Sequence, residues 1–150
     1  MAHRTTPPPK PERPILTVEQ KRRCIDRLSK RIEELEAFEP QTVQKRFPPE
    51  VTALGNAIDE ALSAAFGHGT VEYSRYSSAT RLDHGPPRFV STTLHGGGQD
   101  DGANQARQYL AEGKQRSIVL LKQAIRTLQD EFSARLLRHR PRSWRFAVPR

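Results

Sequence analysis

Ile25, Leu28, Ile32 and Leu35 recur at 3-4-3 spacing, which aligns them on one face of an α-helix. Just ahead of them, Thr17-Val-Glu-Gln20 has the form of a capping box, with threonine as N-cap and glutamine at N3. Phe38-Glu-Pro40 ends the helix, because a residue before proline avoids helical geometry. Arg27, Lys30, Arg31, Glu33 and Glu34 surround the stripe. This is the pattern of a bundle helix, with a two-stranded coiled-coil seam as the alternative.

A short turn of helix is expected over residues 41–47, where Val43 and Phe47 stand four apart. Pro48-Pro49-Glu50 then opens a second helix, since proline is tolerated in the first turn and an acid there suits the helix dipole. Val51, Leu54, Ile58, Ala61, Leu62, Ala65 and Phe66 form its apolar face, and Gly67 is its expected C-cap. The small residues Ala57, Ala61, Ala64 and Ala65 permit close approach of a neighbouring helix.

The helical period fades over residues 67–103. Thr70-Val-Glu-Tyr-Ser-Arg-Tyr76 alternates like a strand, and Arg88-Phe-Val-Ser-Thr-Thr-Leu94 is rich in strand formers. The Gly85-Pro-Pro87 link between them is no tight turn, and an isolated hairpin is marginal. The favoured reading is therefore a long connector, ordered near Tyr73 and Tyr76 and loose by Gly96. From about 104 to 138 the helical rhythm returns through Ile118, Leu121, Ile125, Leu128, Phe132 and Leu136. Some 34 residues span roughly 50 Å, longer than the roughly 35 Å width of a globule of this size. Either the bundle is elongated or this helix projects towards another chain.

Composition places part of the chain outside any core. Only 35% of the 150 residues are hydrophobic, against roughly 45–50% apolar in typical domains. Residues 1–16 hold five prolines and read as a disordered or extended arm. No apolar run approaches the roughly 18 residues of a membrane span, and the first ten residues lack a secretory apolar block. Cys24 is the single cysteine, so neither an internal disulfide nor a cysteine-based zinc cluster can form. A cytoplasmic location without membrane contact is the expectation.

The net charge of +8 matters by its location. Three basic residues and one acid fall in residues 1–16, and six arginines without an acid fall in 135–150, which leaves 16 of each sign between them. The excess is a property of the tails, whereas a DNA reader places a basic face on its folded part. The segment after 138, with Pro141, Trp144 and Phe146, reads as a basic flexible tail. It is able to touch phosphates and stack on bases, is the stub of a module that once continued, or is a bland flexible tail.

Reaction chemistry finds little footing. His95-Gly-Gly-Gly98 looks like an oxyanion loop, but the Gly-x-Ser-x-Gly elbow that such a loop serves is missing. Gly113-Lys114 lies within a helix and is no phosphate loop. Asp83, His84 and His95 lack a metal-ligand spacing, and Arg135-Leu-Leu-Arg-His139 has only an incomplete look of a helical ribonuclease pocket. No catalytic residues, metal or cofactor are expected. Tyr73, Arg75 and Tyr76 are a candidate ligand contact, set against tyrosines that simply close the end of a bundle with wet hydroxyls.

Three stretches together, Asp59-Glu-Ala-Leu-Ser-Ala-Ala-Phe-Gly67, Thr70-Val-Glu-Tyr-x-Arg-Tyr76 and Gly113-Lys114-x-x-Ser117-Ile-x-Leu-Leu-x-x-Ile125, resemble a helical region of bacterial proteins. That region lies upstream of TIR-like nucleotide-binding effector domains in predicted anti-phage defence proteins. The resemblance spans about 17–138, brings no catalytic residues and implies a regulatory or oligomerising module. No effector domain follows Arg138, so either a stand-alone role or a truncated effector is implied.

The sequence thus predicts an all-α elongated bundle of three main helices, with a partly ordered connector over 67–103, a disordered arm at 1–16 and a basic tail at 139–150. The expected function is non-enzymatic interaction, through a protein partner or a homo-oligomer, on the long-helix face of Ile118, Leu121, Ile125, Leu128 and Phe132. The alternative is a nucleic-acid-associated protein binding through its basic tails.

Overall fold

The computed structural model describes residues 7–44, 48–85 and 99–138. Their regular structure is helical: α1 (Val18–Ala37), α2 (Pro49–Phe66), α3 (Val71–Tyr76) and α4 (Gln99–Arg138), with short 3-10 turns at Pro40–Thr42 and Ser77–Thr80. The all-α class read from the periodicity is the observed one. The strand-forming run 88–94, the glycine loop 95–98, residues 45–47 and the tail 139–150 lie outside the described residues.

α1 begins where its capping box predicts. The Thr17 hydroxyl accepts from the Gln20 amide at 3.2 Å, and the Gln20 side-chain oxygen accepts from the Thr17 amide at 2.8 Å. Cys24, Leu28, Ile32 and Leu35 bury its apolar face. At its far end the Lys114 ammonium donates to the carbonyls of Glu36 (3.1 Å) and Phe38 (2.9 Å), satisfying acceptors that a helix C-terminus leaves free. At the near end the Lys21 ammonium meets Glu131. α1 and α4 therefore run antiparallel. α2 opens on Pro49, ends on Gly67 at φ 79°, and buries Val51, Ile58, Ala61, Leu62, Ala65 and Phe66 towards α1, α3 and the turn at Ser77–Thr80.

The connector is more structured than its sequence suggests. Residues 71–76 are helical, not strand-like: the Thr70 hydroxyl accepts from the Tyr73 amide at 3.1 Å and so caps α3. The same hydroxyl donates to the Phe66 carbonyl at 2.9 Å, tying α3 to the end of α2. β-propensity loses here to a cap and to the packing of Tyr76 on Phe66, with ring centroids 5.2 Å apart.

Residues 77–82 then pass between α2 and α4. Ala79 and Leu82 are buried, and the Ser117 hydroxyl donates to the Ala79 carbonyl at 2.7 Å. Glycines on both helices admit this backbone: a Cβ on Gly55 would lie 2.7 Å from the Thr80 carbonyl oxygen, and one on Gly113 would lie 1.9 Å from that of Leu82. Part of the expected connector is thus core. α4 begins at Gln99, five residues before the expected start, and its 40 residues span about 60 Å.

Residues 7–16 form a strap rather than a free arm. Leu16 packs on the core, and Pro14 lies close enough to Gly67 that a Cβ there would meet its ring at 2.8 Å.

Candidate functional site

The five seam residues of α4 grade from core to surface. Ile118, Leu121 and Leu128 are buried in the chain's own core, Ile125 is half-buried against it, and Phe132 is half-buried under the Arg22 guanidinium, 5.4 Å from its ring centroid. The structure therefore turns the face expected to meet another chain inwards, onto α1 and the segment at 77–82. Only its continuation is free. Leu136, next in the same rhythm, is 57% exposed and Leu137 is 68% exposed. α1 starts at Val18, so the seam of α4 outruns the helix that covers it.

The strap sits beside this projecting end. The Arg13 guanidinium donates to both Glu131 oxygens (2.6 and 3.0 Å) and lies 5.2 Å from the centroid of the Phe66 ring. It thus clips α2 to α4. Lys21 donates to the same carboxylate at 2.9 Å, and Arg135 donates to the Leu16 carbonyl at 3.2 Å. Burial pushes the Glu131 carboxyl up, but the bonds from Arg13 and Lys21 outweigh it and hold the group below its ordinary value. A cleft of about 390 Å³ lies here, with Arg13, Lys21, Arg135 and Arg138 in its wall. Ile15 stands 90% exposed. This end, the tip, is basic and partly apolar.

The opposite end of α1 carries the reverse charge. Glu33, Glu36 and Glu39 are exposed there, as is Glu50 at the start of α2, and none has a cationic partner among the described residues. The last turn of α1 holds no basic residue, so Glu33 and Glu36 face the end of the helix dipole that disfavours them, whereas Glu50 stands in the first turn of α2, where the dipole favours it. Between α1 and α2 at this end runs a groove of about 470 Å³, lined by Ala37, Phe38, Ala53, Leu54 and Ala57 together with Glu50 and the Arg31–Glu34 pair.

Tyr73, Arg75 and Tyr76 do not converge. The Tyr73 hydroxyl donates to Asp59, and its ring lies against His68, with centroids 4.9 Å apart. The bond to Asp59, then burial, raises the Tyr73 phenol above its ordinary value. Tyr76 is buried, and its hydroxyl is spent on Thr127 at 2.8 Å. Arg75 stands exposed. The two tyrosines tie α3 to α2 and α4, with both hydroxyls bonded rather than wet.

Other chemistry-bearing groups are isolated. Cys24 is buried, and desolvation raises its thiol, which leaves little thiolate at neutral pH. Desolvation lowers His84, aided by Arg116 and Arg81. Among the described residues no three His, Cys, Asp or Glu side chains gather as metal ligands, and no helix is long and apolar enough to cross a membrane.

Sequence reasoning missed the strap contact of Arg13, the carboxylate of Glu131 and the charged ends. The signal for the last was present: α1 opens with Lys21-Arg22-Arg23 and closes with Glu33-Glu34 and Glu36. Comparison with protein-family models, curated proteins and solved structures finds no match.

Proposed function

We propose that this chain is a non-enzymatic helical assembly module that works through the C-terminal end of α4. The observation that carries the reading is the seam that outruns its bundle: Leu121 and Leu128 buried, Phe132 half-buried, Leu136 and Leu137 exposed. Single exposed apolar residues are ordinary on a surface. A leucine pair on the last turns of a helix, extending a core seam with Ile15 standing exposed on the neighbouring strap, fits a surface that another protein covers. The resemblance to the helical region upstream of TIR-like effector domains supports the same reading and suggests a regulatory role in bacterial defence.

The test is the mass of the full chain in solution against concentration, with and without Leu136→Asp/Leu137→Asp. The reading expects association by the native chain, and loss of that association with helicity intact in the variant. A native chain of 17.0 kDa at every concentration, or a variant that associates as well as the native chain, would remove the assembly role from this end.

A further inference from the structure

The two ends of the bundle are complementary, and they lie on the same molecule. At the tip, Arg22, Arg135 and Arg138 have no carboxylate partner among the described residues, whereas Arg13 and Lys21 share Glu131. Leu136, Leu137 and Ile15 supply exposed apolar surface there. At the other end, about 30 Å away along the 20 residues of α1, a mostly apolar groove lies between α1 and α2, with Glu50 and the Arg31–Glu34 pair in its lining and Glu33, Glu36 and Glu39 exposed on the same end of the chain.

The cations of that end are mostly engaged. Arg31 pairs with Glu34 at 3.0 Å, and Lys114 is spent on the carbonyls of Glu36 and Phe38. Lys30 is exposed on α1, and Lys45 and Arg46 fall outside the described residues.

We infer that the tip of one copy docks in the α1–α2 groove of a second copy, head to tail. The inference rests on the assembly reading above and supplies its partner. Charge selects this pairing over tip against tip. Two tips would bring Arg22, Arg135 and Arg138 against their own copies, whereas tip against groove sets them beside Glu50 and the acidic end of α1 and gives Glu33 and Glu36 the cations that the last turn of α1 lacks. Small alanines at positions 37, 53 and 57 stand in the groove beside Phe38 and Leu54, which leaves room for leucine side chains. A contact between two different surfaces of one chain does not use itself up. Each added copy offers a fresh tip or groove, so the product is a ring or an open filament.

A mixing experiment tests this directly on the full chain. One variant carries Leu136→Asp/Leu137→Asp at the tip, and the other carries Glu50→Lys/Ala53→Arg at the groove. All four positions are exposed, and circular dichroism checks that both variants keep their helices. The native mass should rise with concentration, and each variant alone should stay at 17.0 kDa. An equimolar mixture should recover a species of twice that mass and stop there, because one good tip and one good groove remain.

If the tip variant loses association but the groove variant keeps it, docking in the groove is overturned while the assembly role of the tip stands. If both variants are monomeric and the mixture stays monomeric, the two surfaces do not meet and the pairing is overturned. If neither variant changes the mass, both the pairing and the assembly reading fail.

Discussion

Gly113 of α4 lies so close to the Leu82 carbonyl that a Cβ on it would sit 1.9 Å from the oxygen. Alanine in a helix interior is ordinarily better than glycine by about 1 kcal/mol, and here the sign should reverse. Gly113→Ala must push apart the backbone of residues 77–82 and α4, at a cost of about 1–3 kcal/mol or more, as in other overpacked cores. Gly55→Ala should show the same sign with a smaller loss, since its contact to the Thr80 oxygen is 2.7 Å. Urea midpoints measure both. A stabilised Gly113→Ala would mean that the segment does not run between the helices.

Leu121 and Leu136 occupy one seam with opposite fates. Leu121→Asp puts a charge in a fully buried site and should cost about 4 kcal/mol or more, enough to abolish cooperative thermal unfolding. Leu136→Asp sits in solvent and should leave the melting temperature nearly unchanged. Equal melting temperatures for the two variants would refute the burial gradient along α4.

That gradient also marks how far the sequence could be read. The 3-4 rhythm placed Leu121 and Leu136 on one face, but periodicity gives the same answer for a seam covered from within the chain and one covered by another chain. Deciding between them needs to know where α1 begins relative to α4, a tertiary fact. The limits of α1 and α2 were legible because their caps are local, in Thr17 with Gln20 and in Pro49 with Gly67. α3 was read as strand-like because Val71, Tyr73 and Tyr76 favour strands; its Thr70 cap is local, but the packing of Tyr76 on Phe66 that accompanies it is a tertiary contact. Gly113 was visible as a glycine in a helix, yet its reason is a backbone some thirty residues away in sequence. Residues 7–16 looked like part of a free arm because one arginine, a leucine and a proline at Gly67, rather than a repeating pattern, hold them down.

Glu131 should make the strap sensitive to acid. Its carboxyl is held below the ordinary value in the folded chain, so its contribution is present above the unfolded-state value and is lost as pH falls through the folded one. The native chain should be more stable than Glu131→Gln at neutral pH, and the gap should close as pH drops below the usual carboxylate range. Chemical denaturation of both proteins over that range gives the comparison. A gap that widens in acid would contradict the clip between Arg13, Lys21 and Glu131.

Tyr73 should titrate above the ordinary tyrosine range. Its phenol is raised above 10.0, first by its bond to Asp59 and then by burial. The stability this adds is full below the unfolded-state value and fades as pH rises through the folded one. Ultraviolet difference titration of the native chain and Asp59→Asn should show the phenolate of Tyr73 appearing at lower pH in the variant. Identical curves would mean that Asp59 does not hold the hydroxyl.

The assembly surface itself is tested most directly by amide hydrogen exchange of the native chain at two protein concentrations, one well below and one well above the onset of association. Amides of residues 133–138 should gain protection at the higher concentration, while those around Leu121, already enclosed by the chain's own core, should exchange at the same rate in both. Concentration-independent exchange over 133–138 would show that nothing covers the end of α4 and would contradict the account.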